Sequence, residues 1–208
     1  DKYKFNNAYQ KALNINYLHF DIRKKKELRK LLQNKFDIIV YLLGQQNKNY
    51  KIEKELNLTS VVNLIDVIKN LKEENNIQIV YVSSVMVYGG GEKKFNENDD
   101  LRPQDNYSIL KMLSEERIIN AGIPYKILRF SNVYGGKQTK GLISYISDAA
   151  KNNKVFCYED LNKVRSFLHV HDAAHSIKLA INSLYMDQIY NISSENKTIE
   201  YIIKIAEN

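Results

Sequence analysis

Short apolar runs rich in valine, isoleucine and tyrosine alternate along this chain with longer stretches of helical periodicity, and that alternation limits the fold more than any other feature. Strands separated by helical crossovers pair in parallel, because each crossover returns the chain to the same end of the sheet. The runs predict strands at Asn16–Phe20, Asp37–Leu43, Ile77–Ser84 and Tyr125–Phe130. Helical spacing covers Lys24–Asn34, Ile52–Asn75 and Tyr107–Ala121, and Gly122 with Pro124 stops the last of these. The near-continuous apolar run Ile77–Val82 suits a strand covered on both faces. The expected class is therefore α/β, a doubly wound parallel sheet. Such sheets bind ligands beyond the carboxyl ends of their strands, so the residues that follow Leu43, Val82 and Arg129 are the first to search for function.

After Gly136 the pieces shorten: a helix near Gly141–Asn152, a strand near Val155–Tyr158, a segment Arg165–Val170, a helix Asp172–Leu184 and a brief strand Gln188–Ile192. The pattern suggests a smaller lobe. The chain opens on Asp1 and closes on Asn208, directly after an amphipathic stretch Thr198–Glu207, so it is expected to be cut at both ends.

Several classes of protein are excluded by composition. A single cysteine, Cys157, forms no internal disulfide, and no second cysteine stands near the four histidines in a zinc-ligand spacing, so no metal site is expected. The net charge of +7 comes from lysines spread among 24 acidic residues, which describes a solvated surface rather than a face for nucleic acid. No stretch approaches eighteen consecutive apolar residues, and the Lys-rich start lacks the apolar core of a secretory signal. No membrane partner is expected, and the cytoplasm is the expected location.

The chemistry starts from a spacing. A tyrosine four residues before a lysine on a helix shares its face, where the ammonium favours the phenolate and allows a general base near neutral pH. The spacing occurs at Tyr50/Lys54 and at Tyr107/Lys111, in a chain with 15 tyrosines. Tyr107 is preferred because Ser83 and Ser84 end a strand upstream of it, and a helix beginning at Tyr107 brings its first turn beside that strand end. The Ser84 hydroxyl then reaches the same reacting oxygen.

The ordered strings YVSSVMVYG, NEND, YSILK, LRFSNVYGG and VRSFLHVHDAA resemble the extended short-chain dehydrogenases typified by UDP-glucose 4-epimerase, over nearly the whole chain. The resemblance implies a Rossmann-like domain over 1–136, lacking its first β-α unit, and part of a substrate-binding lobe over 137–208. It implies NAD as cofactor, with NADP also open, a nucleotide-diphosphate sugar as substrate, and a homodimer through Ile52–Asn75 and Tyr107–Ala121. Tyr107 corresponds to the catalytic base, Lys111 to the lysine on the nicotinamide ribose, and Ser84 to the hydroxyl beside the sugar oxygen. Asp21 and Ile22 resemble the segment that meets the adenine, Leu42, Leu43 and Gly44 the segment along the cofactor, and Asn57 the helix asparagine of the pattern. Phe130 faces the nicotinamide in this reading, while Asn132 and Arg165 contact the substrate diphosphate, a task that suits a guanidinium. Asp21 has a second reading, as a cap for the helix near Lys24. His169, His171 and His175 resemble a metal cluster by spacing, but they fall in a stretch of the family pattern where packing or helix capping is the expected role.

The chain also departs from the family. No glycine precedes Gly44, so the glycine fingerprint that holds the cofactor pyrophosphate is missing, and the chain as given is expected to bind cofactor poorly. Asp1 stands where the acidic residue of the second strand could remain. The segment Gln45–Leu56 is shorter than usual, and Ser166 replaces an aspartate after the clamp arginine. The 4,6-dehydratases carry Asp-Glu after the catalytic Ser or Thr; Val85 and Met86 stand here, which disfavours dehydration. The reading is an NAD(P)-dependent nucleotide-sugar epimerase, with a 4-keto-sugar reductase and a non-catalytic nucleotide-binding module as rivals.

Overall fold

A computed structural model describes residues 15–71, 77–91, 93–136, 138–139, 141–152, 154, 158 and 160–207. Its main sheet contains β1 (Ile38–Tyr41), β2 (Gln78–Ser84), β3 (Tyr125–Phe130) and β6 (Gln188–Ile192), in the order β1-β2-β3-β6. Every pairing is parallel, with Val40 opposite Val80, Ser84 opposite Phe130 and Phe130 opposite Ile192. This is the expected Rossmann-like architecture.

Helices cover both faces, as strands apolar on both sides require. On one face, α1 (Lys25–Leu31), α3 (Ser60–Lys69) and α4 (Asn106–Ile119) bury Leu28, Leu64, Val67 and Ile118 against Tyr41, Ile79, Tyr81 and Ile127. On the other, Ala173 and Ala180 of α6 (Val170–Asn182) pack on Val80, Leu128 and Phe130. Each large apolar side chain so covered stabilises the fold by about 1.5–3 kcal/mol. Lys126 is fully buried and tethers the end of α6, its ammonium donating to the carbonyls of Ala180 at 2.7 Å and Ser183 at 2.6 Å. A cation at a helix carboxyl end meets oxygens that lack helical donors.

A second sheet carries β4 (Asn132–Tyr134), β5 (Val164–His169) and β7 (Glu195–Thr198), with β4 parallel and β7 antiparallel to β5. Beside it lie α5 (Leu142–Lys151) and α7 (Ile199–Ala206). Neither β4 nor β7 was expected, since both are too short to show a period. His169 caps α6 by accepting the His171 N–H on Nδ1, so the helix begins at Val170, two residues before the expected start.

Two expected elements change. Residues 15–20 join neither sheet, because a strand exists only beside a partner and β1 pairs with β2 alone among the described residues. The expected helix Ile52–Asn75 is three pieces: α2 (Tyr50–Lys54), capped by the Asn49 side chain, a π-helical turn Glu55–Thr59, and α3, which stops at Lys69. Residues 72–75 of that helix lie outside the described residues, as do Asp1, residues 155–157 of the expected strand Val155–Tyr158, and Cys157 within it. No helix among the described residues is long and apolar enough to cross a membrane.

Candidate active site at the carboxyl end of the sheet

Three strand ends and one helix build the site. At the end of β2, Ser84 uses its hydroxyl to accept the Met86 N–H at 3.2 Å, starting a 3-10 turn Val85–Tyr88. Gly89 ends that turn with φ of +84°, and a Cβ there would sit on the Arg102 carbonyl oxygen. Only glycine suits that combination of backbone angle and close approach. The chain then enters α4 through a capping box: Asp105 accepts the Ser108 N–H at 2.7 Å and Ser108 accepts the Asp105 N–H at 3.2 Å. This fixes the first turn, which carries Tyr107, with Lys111 one turn later.

Lys111 is the centre of the arrangement. It is 2% exposed, and its ammonium donates to the carbonyls of Val82 at 2.9 Å and Leu43 at 3.2 Å, joining the carboxyl ends of β2 and β1. Its Nζ lies 4.7 Å from the Tyr81 ring centre and 5.9 Å from that of Tyr107. Gly44 is packed so closely that a Cβ would come within 2.6 Å of this nitrogen and 3.3 Å of the Asn57 Oδ1. Asn57, fully buried in the π turn, accepts the Gln45 N–H at 3.1 Å and donates to the carbonyls of Gln45 and Glu53, each at 2.8 Å. Ser114 of α4 donates to the Asn57 carbonyl at 2.7 Å, locking the π turn to the helix that bears Tyr107 and Lys111.

The structure thus gathers Leu43, Gly44, Asn57, Tyr107 and Lys111. Leu42 and Leu43 are 59% and 45% exposed, an apolar strip just past β1. Ser84 lies two residues beyond Val82 and pairs in register with Phe130, which is 7% exposed. The other four expected site residues make contacts of their own. Asp21 accepts from Arg23 at 3.0 Å on the backbone N–H and at 2.8 and 2.9 Å on the guanidinium, which holds its carboxyl down to about 2. That pairing also replaces the capping role, for α1 has no side-chain cap. Ile22 packs on the core of the α1 face. Asn132 donates to the Ser166 carbonyl at 2.9 Å across β4 and β5, and Arg165 donates to the Tyr158 hydroxyl at 3.0 Å.

The electrostatics differ from the sequence expectation. Burial pushes the Tyr107 phenol up to about 12, and the nearby carboxylates of Asp105 and Glu53 add to the rise. Burial also brings the Lys111 ammonium down to about 8. The expected lowering by the lysine is absent: its ammonium donates to two backbone carbonyls and stands 5.9 Å from the Tyr107 ring centre, and burial with the two carboxylates sets the direction. Beside Tyr107 opens a cavity of about 340 Å³, lined also by Gln46, Asn47, Lys48, Glu53, Asp105 and Asn106. Of these lining residues only Tyr107 was foreseen; the Asp105-x-x-Ser108 cap was a readable signal, while Glu53 gave none.

The pattern of the NAD-dependent epimerase/dehydratase family matches residues 1–193. The chain belongs to that family. A Methanocaldococcus jannaschii protein assigned as a UDP-glucose 4-epimerase is 29% identical, over 93% of this chain and 66% of that protein. The UDP-N-acetyl-alpha-D-glucosaminuronate decarboxylase of Bacillus cytotoxicus is 25% identical, over 94% of this chain and 66% of its own length. The chain therefore spans slightly less than two thirds of these relatives. The UDP-glucuronic acid 4-epimerase of Bacillus cereus, solved with UDP-glucuronic acid and NAD, superposes with a TM-score of 0.82 at 23% identity, over 96% of this chain and 68% of that one. That likeness shows the shared fold.

Proposed function

We propose that the protein is an NAD(P)-dependent nucleotide-sugar epimerase, working by reversible hydride transfer through a keto sugar. The observation that carries this reading is the pairing of Tyr107, on the wall of a cavity, with a buried Lys111 that spans two strand ends. The residues present fit the nicotinamide end of a dinucleotide: Gly44 leaves no space to Lys111 for a side chain, and Leu42 and Leu43 offer exposed apolar surface. The pyrophosphate cradle is not among these residues, since the first glycine of the chain is Gly44. When bound, NAD supplies the hydride acceptor and, when oxidised, a positive charge.

The chain's own groups handle the proton and the position. Tyr107, neutral at pH 7 with its phenol near 12, exchanges a proton with the sugar hydroxyl oxygen, and the positive charge that oxidised NAD would bring would make its phenolate accessible. Ser84 offers a hydroxyl to the same oxygen. Lys111, held by the carbonyls of Val82 and Leu43, keeps a third N–H for the nicotinamide ribose. Asp21 and Ile22 toward the adenine, Asn57 and Phe130 along the cofactor, and Asn132 and Arg165 toward the substrate diphosphate complete the proposed set. The proposed division is a cofactor domain over 1–136 and a substrate lobe over 137–208, and the proposed assembly is a homodimer. The names of the relatives, which act on UDP-sugars, support the substrate class.

The test uses the full-length protein containing this chain, incubated with NAD and UDP-, dTDP- and CDP-sugars, with products followed by chromatography and reduced cofactor by absorbance. An isomeric sugar with no net reduced cofactor is the expected result, and Tyr107→Phe should lower its rate by about 10²–10⁴-fold. Consumption of reduced cofactor with a 4-keto sugar would replace the epimerase by a reductase. Neither activity would leave a binding module.

A further inference from the structure

We infer that Glu53 reads the sugar, and that the cavity beside Tyr107 takes a nucleotide sugar whose ring carries hydroxyl groups and no carboxylate. The inference rests on the nucleotide-sugar reading above and narrows it. Glu53 stands on α2 two residues before the π turn begins and is only 4% exposed, an unusual place for a glutamate. Its Oε1 accepts the Asn47 N–H at 3.2 Å, so the carboxylate is aimed by backbone, and both residues line the cavity. Asp105 is equally fixed, its Oδ1 accepting the Ser108 N–H at 2.7 Å and the Ser108 hydroxyl at 2.6 Å.

The wall around the phenol thus carries two anchored carboxylates. The one cation among the lining residues, Lys48, is exposed to solvent. The field of both carboxylates reaches the reacting group, since each adds to the rise at Tyr107. An ionised carboxylate only accepts hydrogen bonds, so it matches sugar hydroxyls. A uronate would bring a like charge against a buried one that solvent screens weakly, and selectivity would arise from that repulsion. Relatives named for a neutral hexose and for a uronate both occur, so the choice is a real one for this chain.

The experiment measures, by titration calorimetry on the full-length protein with NAD, the affinity of whichever of UDP, dTDP and CDP binds, and of its glucose and glucuronic acid esters. The glucose ester should bind at least about tenfold tighter than the glucuronic acid ester. Glu53→Gln, which keeps the acceptor for Asn47, should close most of that gap by improving the uronate, with the affinity for the nucleotide alone unchanged. Equal or tighter binding of the uronate by the wild type overturns the inference without any variant, as does a gap that Glu53→Gln leaves intact. Failure of all three nucleotides to bind strikes the nucleotide-sugar reading itself, and this inference falls with it.

Discussion

Glu115 and Arg129 form the most deeply buried ion pair among the described residues, at 1% and 2% exposure, and its removal gives the sharpest test of how the site is held. From β3 the guanidinium reaches Glu115 on α4 with Nε at 3.1 and 3.2 Å and Nη2 at 2.7 Å. Its Nη1 donates to the Tyr88 hydroxyl at 2.6 Å and the Glu97 carbonyl at 3.1 Å, and Tyr88 donates on to Asn191 of β6 at 2.8 Å. One cation therefore ties the helix of Tyr107, the turn after Ser84 and the loop around Glu97 to the sheet. Glu115→Leu leaves that cation buried with only neutral acceptors, a change that costs about 3–5 kcal/mol. Against a total of about 5–15 kcal/mol this is a large share, and at about 2–4 °C per kcal/mol the Tm should fall by about 6–20 °C. Urea unfolding at constant m-value measures it. The double variant Glu115→Leu/Arg129→Met should recover part of the loss, short of all, because the Tyr88 hydroxyl and the Glu97 carbonyl lose a donor. A cost below about 1 kcal/mol for Glu115→Leu, or a double variant worse than either single one, would refute the reasoning.

Gly44→Ala drives a methyl against the Lys111 Nζ, so the ammonium must release one carbonyl; the expected cost is about 1.5–3 kcal/mol in urea unfolding, with activity falling alongside. Unchanged stability and turnover would show that this contact yields freely. Lys111 titrates near 8 in the fold and at 10.5 in a model peptide, so between these values the unfolded chain binds more protons and stability rises with pH. The wild type should therefore gain stability relative to Lys111→Met from pH 8 to 10.5 and show a constant difference below that window, as measured by unfolding at several pH values.

The parallel sheet, its helices and the Tyr107/Lys111 pair were legible in the sequence because each depends on short-range pattern. Apolar runs have a period, a glycine and a proline stop a helix, and residues four apart share a helix face. Residues 15–20 have a strand's composition but not a strand's neighbour, and pairing is a property of two segments. The π turn at Glu55–Thr59 was hidden for a similar reason: it is fastened by Ser114, which lies 57 residues away from Asn57. Charge state was decided last and furthest from the sequence. Tyr107 beside a lysine reads as an acidified phenol, yet the folded chain directs the ammonium to Val82 and Leu43, buries the phenol and sets it near the carboxylates of Asp105 and Glu53. Local pattern set where the groups stand along the chain; burial and long-range hydrogen bonds, which exist only once the chain has closed on itself, set what those groups can do.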